Sequence, residues 1–260
     1  MSVILESKDV CKYFGGLKAV EKVNMQVNSG DIFGIIGPNG AGKTTFFNIC
    51  SGVYTPTSGS IILDGEDISG LYPEEVAAKG IARTFQNIKL FKFMSVLDNV
   101  KVGFHLETKT SMFDAMFHTK KYKEDEAFIV EKSKEILEKV GLSEYTNTLA
   151  GNLPYGIQRK VEIARALALH PKVLLLDEPA AGMNPNETNS LREFIQQLNK
   201  DGLTIVVIEH DMKFVMNACN RIIVINFGQK ICEGTPEEVR ANKEVNEAYF
   251  GKGIVTGGAK

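Results

Sequence analysis

The sequence predicts an α/β fold, a parallel β-sheet clad in helices, and three observations carry that prediction. Apolar runs of strand length, Ile32 to Ile36, Val173 to Leu176 and Ile205 to Ile208, alternate with helical patterns. Strands buried on both faces of a parallel sheet read this way. The first run passes through Gly37-Pro38-Asn39-Gly40-Ala41-Gly42-Lys43-Thr44-Thr45 into the helix-like Phe46 to Cys50, a strand, glycine-rich loop and helix in succession. Near the N-terminus, Val23, Met25 and Val27 alternate with polar residues, as in a half-buried antiparallel strand. A smaller antiparallel sheet is therefore expected beside the parallel one.

Taken in order, residues 3–10 and 20–28 read as two strands of the smaller sheet, with Lys12-Tyr13-Phe14-Gly15-Gly16 as a turn between them. Ser60 to Leu63 is a short strand before an Asp64-Gly65 turn. Pro73 opens a short helix, where its missing N–H would be unpaired in any case. Ile81 to Phe85 is a strand. From Asn87 to Asn152 the pattern turns helical and reads as an insertion. Ser95 to Phe104 is one helix and Tyr122 to Val140 another, with Phe128, Ile129, Ile136, Leu137 and Val140 on one face and Gly141 as its C-cap. Tyr155 to Leu169, Glu187 to Asn199 and Met212 to Ala218 are further helices. Arg221 to Asn226 and Gln229 to Cys232 form a hairpin, two short helices follow, and the glycine-rich stretch from Gly251 is expected to be disordered.

At 260 residues the chain can bury a sizeable core. A formal net charge of −2 gives no sign of a nucleic-acid surface. Cys11, Cys50, Cys219 and Cys232 lack metal-type spacing and read as reduced thiols of a cytosolic protein. The start, Met1 to Glu6, lacks a secretory pattern. No apolar run approaches the roughly 20 residues that cross a bilayer, so any role at a membrane is expected to be peripheral.

The loop from Gly37 to Thr45 has the G-x-x-x-x-G-K-[ST] spacing of a phosphate-binding P-loop. Small residues let backbone N–H groups curl around a polyphosphate, and the following helix adds the positive end of its dipole. Lys43 can reach terminal phosphates, and the hydroxyl of Thr44 can ligate Mg²⁺. On a P-loop fold, Asp177 ends its strand where a carboxylate holds Mg²⁺ through water, and the adjacent Glu178 can orient or deprotonate an attacking water.

Gly37 to Thr45, Gln86, Leu153 to Gln158, Asp177-Glu178 and His210, in that order, resemble an ATP-binding cassette ATPase, the motor subunit of ABC transporters, over residues 3–251. The resemblance implies a P-loop NTPase (RecA-like) parallel sheet core with an antiparallel β-subdomain and an inserted α-helical subdomain. Residues 1–86 and 159–251 would form the core, 87–158 the insertion, and 252–260 a flexible tail. Two cassettes would sandwich two ATP molecules, each site pairing one subunit's P-loop with the other's signature. Gly37, Pro38, Asn39, Gly40, Ala41, Gly42, Lys43, Thr44 and Thr45 would hold the nucleotide. Phe14, with Tyr13 as second choice, would stack on adenine. Gln86 would contact Mg²⁺ or the water, and His210 would hydrogen-bond the γ-phosphate. Tyr155 and Gly156 would make the contact across the dimer. His105, His118 and His170 gain no role.

Two stretches depart from the family pattern. The signature, Leu153-Pro154-Tyr155-Gly156-Ile157-Gln158, differs from the common Leu-Ser-Gly-Gly-Gln at Pro154, Tyr155 and Ile157. Pro154 removes a hydroxyl that would bond the γ-phosphate across the dimer, so a weakened contact is expected. Asn184 stands where the family more often has aspartate.

Arg83-Thr84-Phe85-Gln86, Tyr155-Gly156, Glu162 to Ala166, Pro179 to Pro185 and Tyr249-Phe250-Gly251 are similar to the larger ATP-binding subunit of branched-chain amino acid importers. The long segment between Val102 and Tyr122 fits that subunit better than its relative, the lipopolysaccharide-export ATPase. The resemblance implies an ATP-hydrolysing subunit on the cytoplasmic face of the cell membrane, using ATP and Mg²⁺. Its partners would be integral membrane permease subunits, a second ATP-binding subunit, alike or different, and indirectly a solute-binding protein, with no nucleic acid. Leu90, Phe91, Phe93 and Met94 are candidates for a groove that receives a permease helix, or for packing within the insertion. One rival is a soluble cassette ATPase of ribosomes or DNA, but the paired cassettes or long coiled coil usual in such proteins do not occur. The other is a non-hydrolysing regulatory subunit, suggested only by Pro154.

Overall fold

The computed structural model of the protein describes residues 2–108 and 110–250, so the glycine-rich stretch from Gly251 lies outside the described residues. The chain divides into two compact units, Met1–Arg83 with Lys172–Lys260, and Thr84–Pro171. The strands of the first unit are, in chain order, β1 (Val3–Phe14), β2 (Leu17–Asn28), β3 (Ile32–Ile36), β4 (Ser58–Leu63), β5 (Glu66–Asp67), β6 (Ile81–Arg83), β7 (Val173–Asp177), β8 (Thr204–Ile208), β9 (Arg221–Asn226) and β10 (Gln229–Gly234). Helices α1 (Lys43–Cys50) and α2 (Pro73–Lys79) belong to the same unit. Helices α3 (Val96–Lys101), α4 (Met112–Met116), α5 (Lys120–Lys139) and α6 (Tyr155–Leu167) belong to the second. Helices α7 (Pro185–Lys200), α8 (Met212–Ala218), α9 (Pro236–Ala241) and α10 (Lys243–Phe250) return to the first.

The first unit holds two sheets. One has the order β10-β9-β3-β8-β7-β6, parallel throughout except for the antiparallel β9–β10 hairpin. Every residue of β3, β7 and β8 is buried, which explains their unbroken apolar runs. The other sheet, β2-β1-β4-β5, is antiparallel. It turns Val20, Val23, Met25 and Val27 inward and leaves their neighbours outside. These inward residues join Phe33 and Ile35 of β3, Val173 and Leu175 of β7, and Val206 and Ile208 of β8 in one core. Helix α1 contributes Phe46, Phe47, Ile49 and Cys50 to the same core, so the helix that follows the glycine-rich loop is anchored on apolar side chains from both sheets.

In the second unit, α5 buries Ile129, Ser133 and Leu137, and α3 buries Val96, Asn99 and Val100 while packing on both α5 and α6. Asn99 organises the chain that follows Gln86. Its amide accepts from the Phe91 N–H at 2.9 Å and donates to the carbonyls of Phe91 and Ser95 at 3.1 and 2.9 Å.

Three local readings change. Tyr13 and Phe14 lie on β1, cross-strand from Lys18 and Leu17, and the turn shrinks to Gly15-Gly16; ladder pairing extends the strand because aromatic residues suit a pleated surface. The helix expected from Ser95 to Phe104 ends at Lys101 and tightens into a 3₁₀ segment, Val102–Leu106. Helix α4 arises where none is expected, seeded by a capping box in which Ser111 and Asp114 bond each other's backbone N–H.

Phe46, on the helix that follows the glycine-rich loop, is fully buried. Phe46→Ala is expected to cost about 3–5 kcal/mol of stability, the usual effect of emptying a packed phenylalanine site, measured by urea unfolding.

Candidate active site

Glycine at two positions of the loop is required by close approach. A Cβ at Gly37 would stand 2.0 Å from the Ile225 carbonyl oxygen, and one at Gly42 would stand 2.2 Å from that of Ala19. Gly42 also has φ 99° and is the N-cap of α1, a left-handed conformation that glycine adopts without penalty. The loop is thus held between β9 on one side and β2 on the other. No side chain caps α1 and its first turn has no acidic residue, which leaves its leading N–H groups available to an anion.

Lys43 is buried, and its Nζ donates to the carbonyls of Gly37 and Pro38 at 2.7 and 2.9 Å. Burial lowers its pKa, while the nearby Glu178 and Asp177 carboxylates oppose that shift. A cleft of about 350 Å³ opens here, bordered by residues 39–45 together with Leu17, Lys18, Ala19, Glu178, Phe227 and Gly228. The two hairpin segments in this border carry no motif and are absent from the sequence-based site. Phe14 is not in the border. It is 42% exposed at the end of β1, edge-on to Tyr54 with ring centroids 5.4 Å apart, and Lys12 Nζ lies 5.2 Å from its ring.

The acidic side of the site comes from the ends of β7 and β8, whose register sets Asp177 beside Ile208. Arg83 at the end of β6 grips Asp177: Nη2 donates to Oδ2 at 2.7 Å, and Nη1 donates to Asn48 Oδ1 on α1 at 2.6 Å and to Ser51 Oγ at the C-cap of α1 at 2.8 Å. This guanidinium joins the carboxylate to the helix behind the phosphate loop. Glu178 has φ 43°, a costly conformation for a residue with a side chain. Its N–H donates to the Ile208 carbonyl at 2.9 Å. His210 Nδ1 is 3.6 Å from Glu178 Oε2. Lys43, Asp177, Glu178 and His210 are therefore grouped where β3, β7 and β8 end, the usual place for a ligand on an open parallel sheet. Further along, Asn184 accepts from the N–H groups of Asn186 and Glu187 at 3.0 and 3.1 Å as the N-cap of α7.

Gln86, Tyr155 and Gly156 belong to the second unit, where one buried residue links Gln86 to Tyr155. Arg159, on α6, is 0% exposed. Its Nη1 donates to the Phe85 carbonyl and to Glu162 Oε2, each at 2.7 Å, and its Nη2 to the Gln86 carbonyl at 2.7 Å and the Tyr155 hydroxyl at 3.4 Å. Glu162 Oε1 in turn accepts from the Lys89 N–H at 3.1 Å. The sequence-based site omits Arg159 and Glu162, because an i,i+3 pair of opposite charges on a helix ordinarily faces water. Pro154 is the N-cap of α6, with an extended backbone at φ −55° and ψ 150°. A serine here would bring a hydroxyl to the helix end, whereas α6 has no side-chain cap. Among the residues after Gln86, Phe93 is 96% exposed and Phe91 is also exposed.

The family profile described as "ABC transporter" matches residues 20–181, and one described as "Branched-chain amino acid ATP-binding cassette transporter" matches residues 229–254. The chain belongs to the ABC transporter ATP-binding family. It is 46% identical over 250 residues to the high-affinity branched-chain amino acid transport ATP-binding protein BraF of Pseudomonas aeruginosa, covering 96% of this chain and 98% of that one. It is 45% identical over 240 residues to the corresponding LivG of Escherichia coli K12, covering 92% and 94%. Among solved structures, the ADP conformation of the cassette MJ1267 superposes with a TM-score of 0.85 at 36% identity, covering 97% of this chain and all of that one. A nucleotide-free cassette superposes at 0.84 and 35%, covering 96% and all of that chain. The cassette is an ATPase that binds nucleotide, as its family does, and such cassettes work as dimers with transmembrane permease subunits. No helix among the described residues is long and apolar enough to cross a membrane.

Arg159→Met is expected to destabilise the second unit by about 3–5 kcal/mol, because it strands the Glu162 carboxylate in the interior. Pairing it with Glu162→Leu should recover most of that loss; urea unfolding of the single and double variants measures both.

Proposed function

We propose that this chain is the ATP-hydrolysing subunit of an importer of branched-chain amino acids, seated on the cytoplasmic face of an integral membrane permease. The observation that carries the reading is the grouping of Lys43, Asp177, Glu178 and His210 where β3, β7 and β8 end. The solute assignment is supported by the names of the relatives and by the match over residues 229–254.

In this reading ATP lies with its phosphates in the nest of N–H groups from Gly37 to Thr45, and Lys43 exchanges its two carbonyl partners for phosphate oxygens. The cleft suits Mg²⁺. Thr44 offers a hydroxyl on the first turn of α1, and Arg83 occupies Oδ2 of Asp177, leaving Oδ1 for a metal-bound water. These are hard oxygen donors of the kind Mg²⁺ takes alongside phosphate. By the family resemblance, Gln86 would contact Mg²⁺ or the water. When bound, Mg²⁺ would offset the negative charge of the phosphates.

Glu178 polarises a water for in-line attack on the γ-phosphorus; the bond from that phosphorus to the bridging oxygen breaks, and ADP departs with the electron pair. His210 donates to the γ-phosphate, and Lys43 stabilises the charge that gathers on it. Phe14 supplies a face for adenine. Tyr155 and Gly156, at the start of α6, approach the partner cassette's γ-phosphate. The second cassette is alike or different, and a solute-binding protein acts through the permease.

Glu178→Gln should keep its affinity for ATP to within about threefold and lose at least about 100-fold in turnover, the usual weight of a general base. A wild-type rate would remove Glu178 from the mechanism. Pro154→Ser should raise the ATPase rate measured with the permease present by about tenfold or more, the worth of one hydrogen bond to a charged group; an unchanged or lower rate would count against the dimer contact. Uptake of labelled leucine by vesicles holding the chain and its co-purifying permease tests the solute.

A further inference from the structure

The residue before His210 is a carboxylate that the mechanism does not use. Glu209 is 1% exposed. Its Oε1 accepts from the Ala180 N–H at 2.8 Å, and its Oε2 accepts from the His210 N–H at 3.2 Å. Ala180 lies two residues beyond Glu178, and the Glu178 carbonyl accepts from the Ala181 N–H at 3.1 Å. One carboxylate therefore bonds the loop that leaves β7 to the loop that leaves β8. A main-chain hydrogen bond from the Glu178 N–H to the Ile208 carbonyl, 2.9 Å long, joins the same two strand ends.

Glu178 needs such bracing. A non-glycine residue at φ 43° keeps that conformation only where its surroundings over-determine it. Its carboxylate must also stay within reach of His210, from which it is 3.6 Å. A side chain outside the braced loops would not fix that spacing. Burial is the largest influence on Glu209 and leaves its pKa raised, against the lowering effects of the Ala180 hydrogen bond, the His210 charge and the His210 N–H; the Glu178 charge also raises it. A carboxyl with two backbone donors aimed at its two oxygens is best served by two acceptors, which only the ionised form supplies in full.

We propose that Glu209 is a positioning residue for hydrolysis: by accepting from Ala180 and His210 together, it holds the base Glu178 and the phosphate donor His210 in register. The inference rests on the roles given to those two residues under the proposed function.

The test is steady-state hydrolysis and ATP binding by the full chain with its permease, for the wild type, Glu209→Gln, Glu209→Asp and Glu178→Gln. A carboxamide has one oxygen for two N–H donors, and aspartate is one methylene too short to span both loops. Both Glu209 variants should keep the melting temperature and the Kd for ATP, with kcat down at least tenfold and KM within threefold. Wild-type kcat in both overturns the proposal. So does a parallel loss of ATP binding, or failure of both to fold, either of which makes Glu209 a general support of the core. If Glu178→Gln hydrolyses like the wild type, the parent reading fails. If Glu178→Gln is inactive while both Glu209 variants are normal, only the inference falls.

Discussion

The structure depends on a backbone squeezed between two carbonyl oxygens. At Gly37 and Gly42 the chain passes so near the carbonyls of Ile225 and Ala19 that no β-carbon fits. Those contacts aim the following N–H groups toward the cleft, and α1 cannot drift because Phe46 and Phe47 are set in the core formed by both sheets. An anion site made of main-chain dipoles has to be prepared before the anion arrives, since reorienting amides during binding would forfeit most of the gain. Apolar packing underneath and steric exclusion at the rim supply that preparation.

Two arginines extend the same rigidity. In the first unit Arg83 ties the end of β7 to the back of α1, so the carboxylate and the phosphate loop share one support. In the second unit Arg159 ties the start of α6 to the carbonyls of Phe85 and Gln86. Guanidinium suits both places because its planar fork engages several acceptors in fixed directions, which an ammonium does not. Such pairs add little net stability over apolar packing but lose much when broken. Their value here lies in fixing direction.

The parallel sheet, the phosphate loop and the carboxylates at 177 and 178 were legible because each has a local signature: an unbroken apolar run, a glycine spacing, a charge at a strand end. Lys43 and Thr44 followed from the same spacing. The sequence reads Phe14 as part of a turn, since the pairing that draws it into β1 comes from Leu17 across the hairpin and has no local mark. The cleft border at Lys18, Ala19, Phe227 and Gly228 was hidden for the same reason, being assembled by two hairpins distant in sequence. Arg159 and Glu162 have no such mark, because helical spacing reports which residues share a face, not what covers that face. Glu209 was silent beside His210, its meaning arising only when β7 and β8 lie side by side.

Glu178 sits at φ 43°, where glycine or asparagine would be at ease. The backbone there carries a load on behalf of its side chain. A search that rewards heat resistance alone would drift toward replacing this glutamate, and the hardiest descendants of the sequence would be the ones that no longer turn over. Durability and work are set against each other at a single peptide unit, so selection for robustness in this protein needs a second screen for hydrolysis.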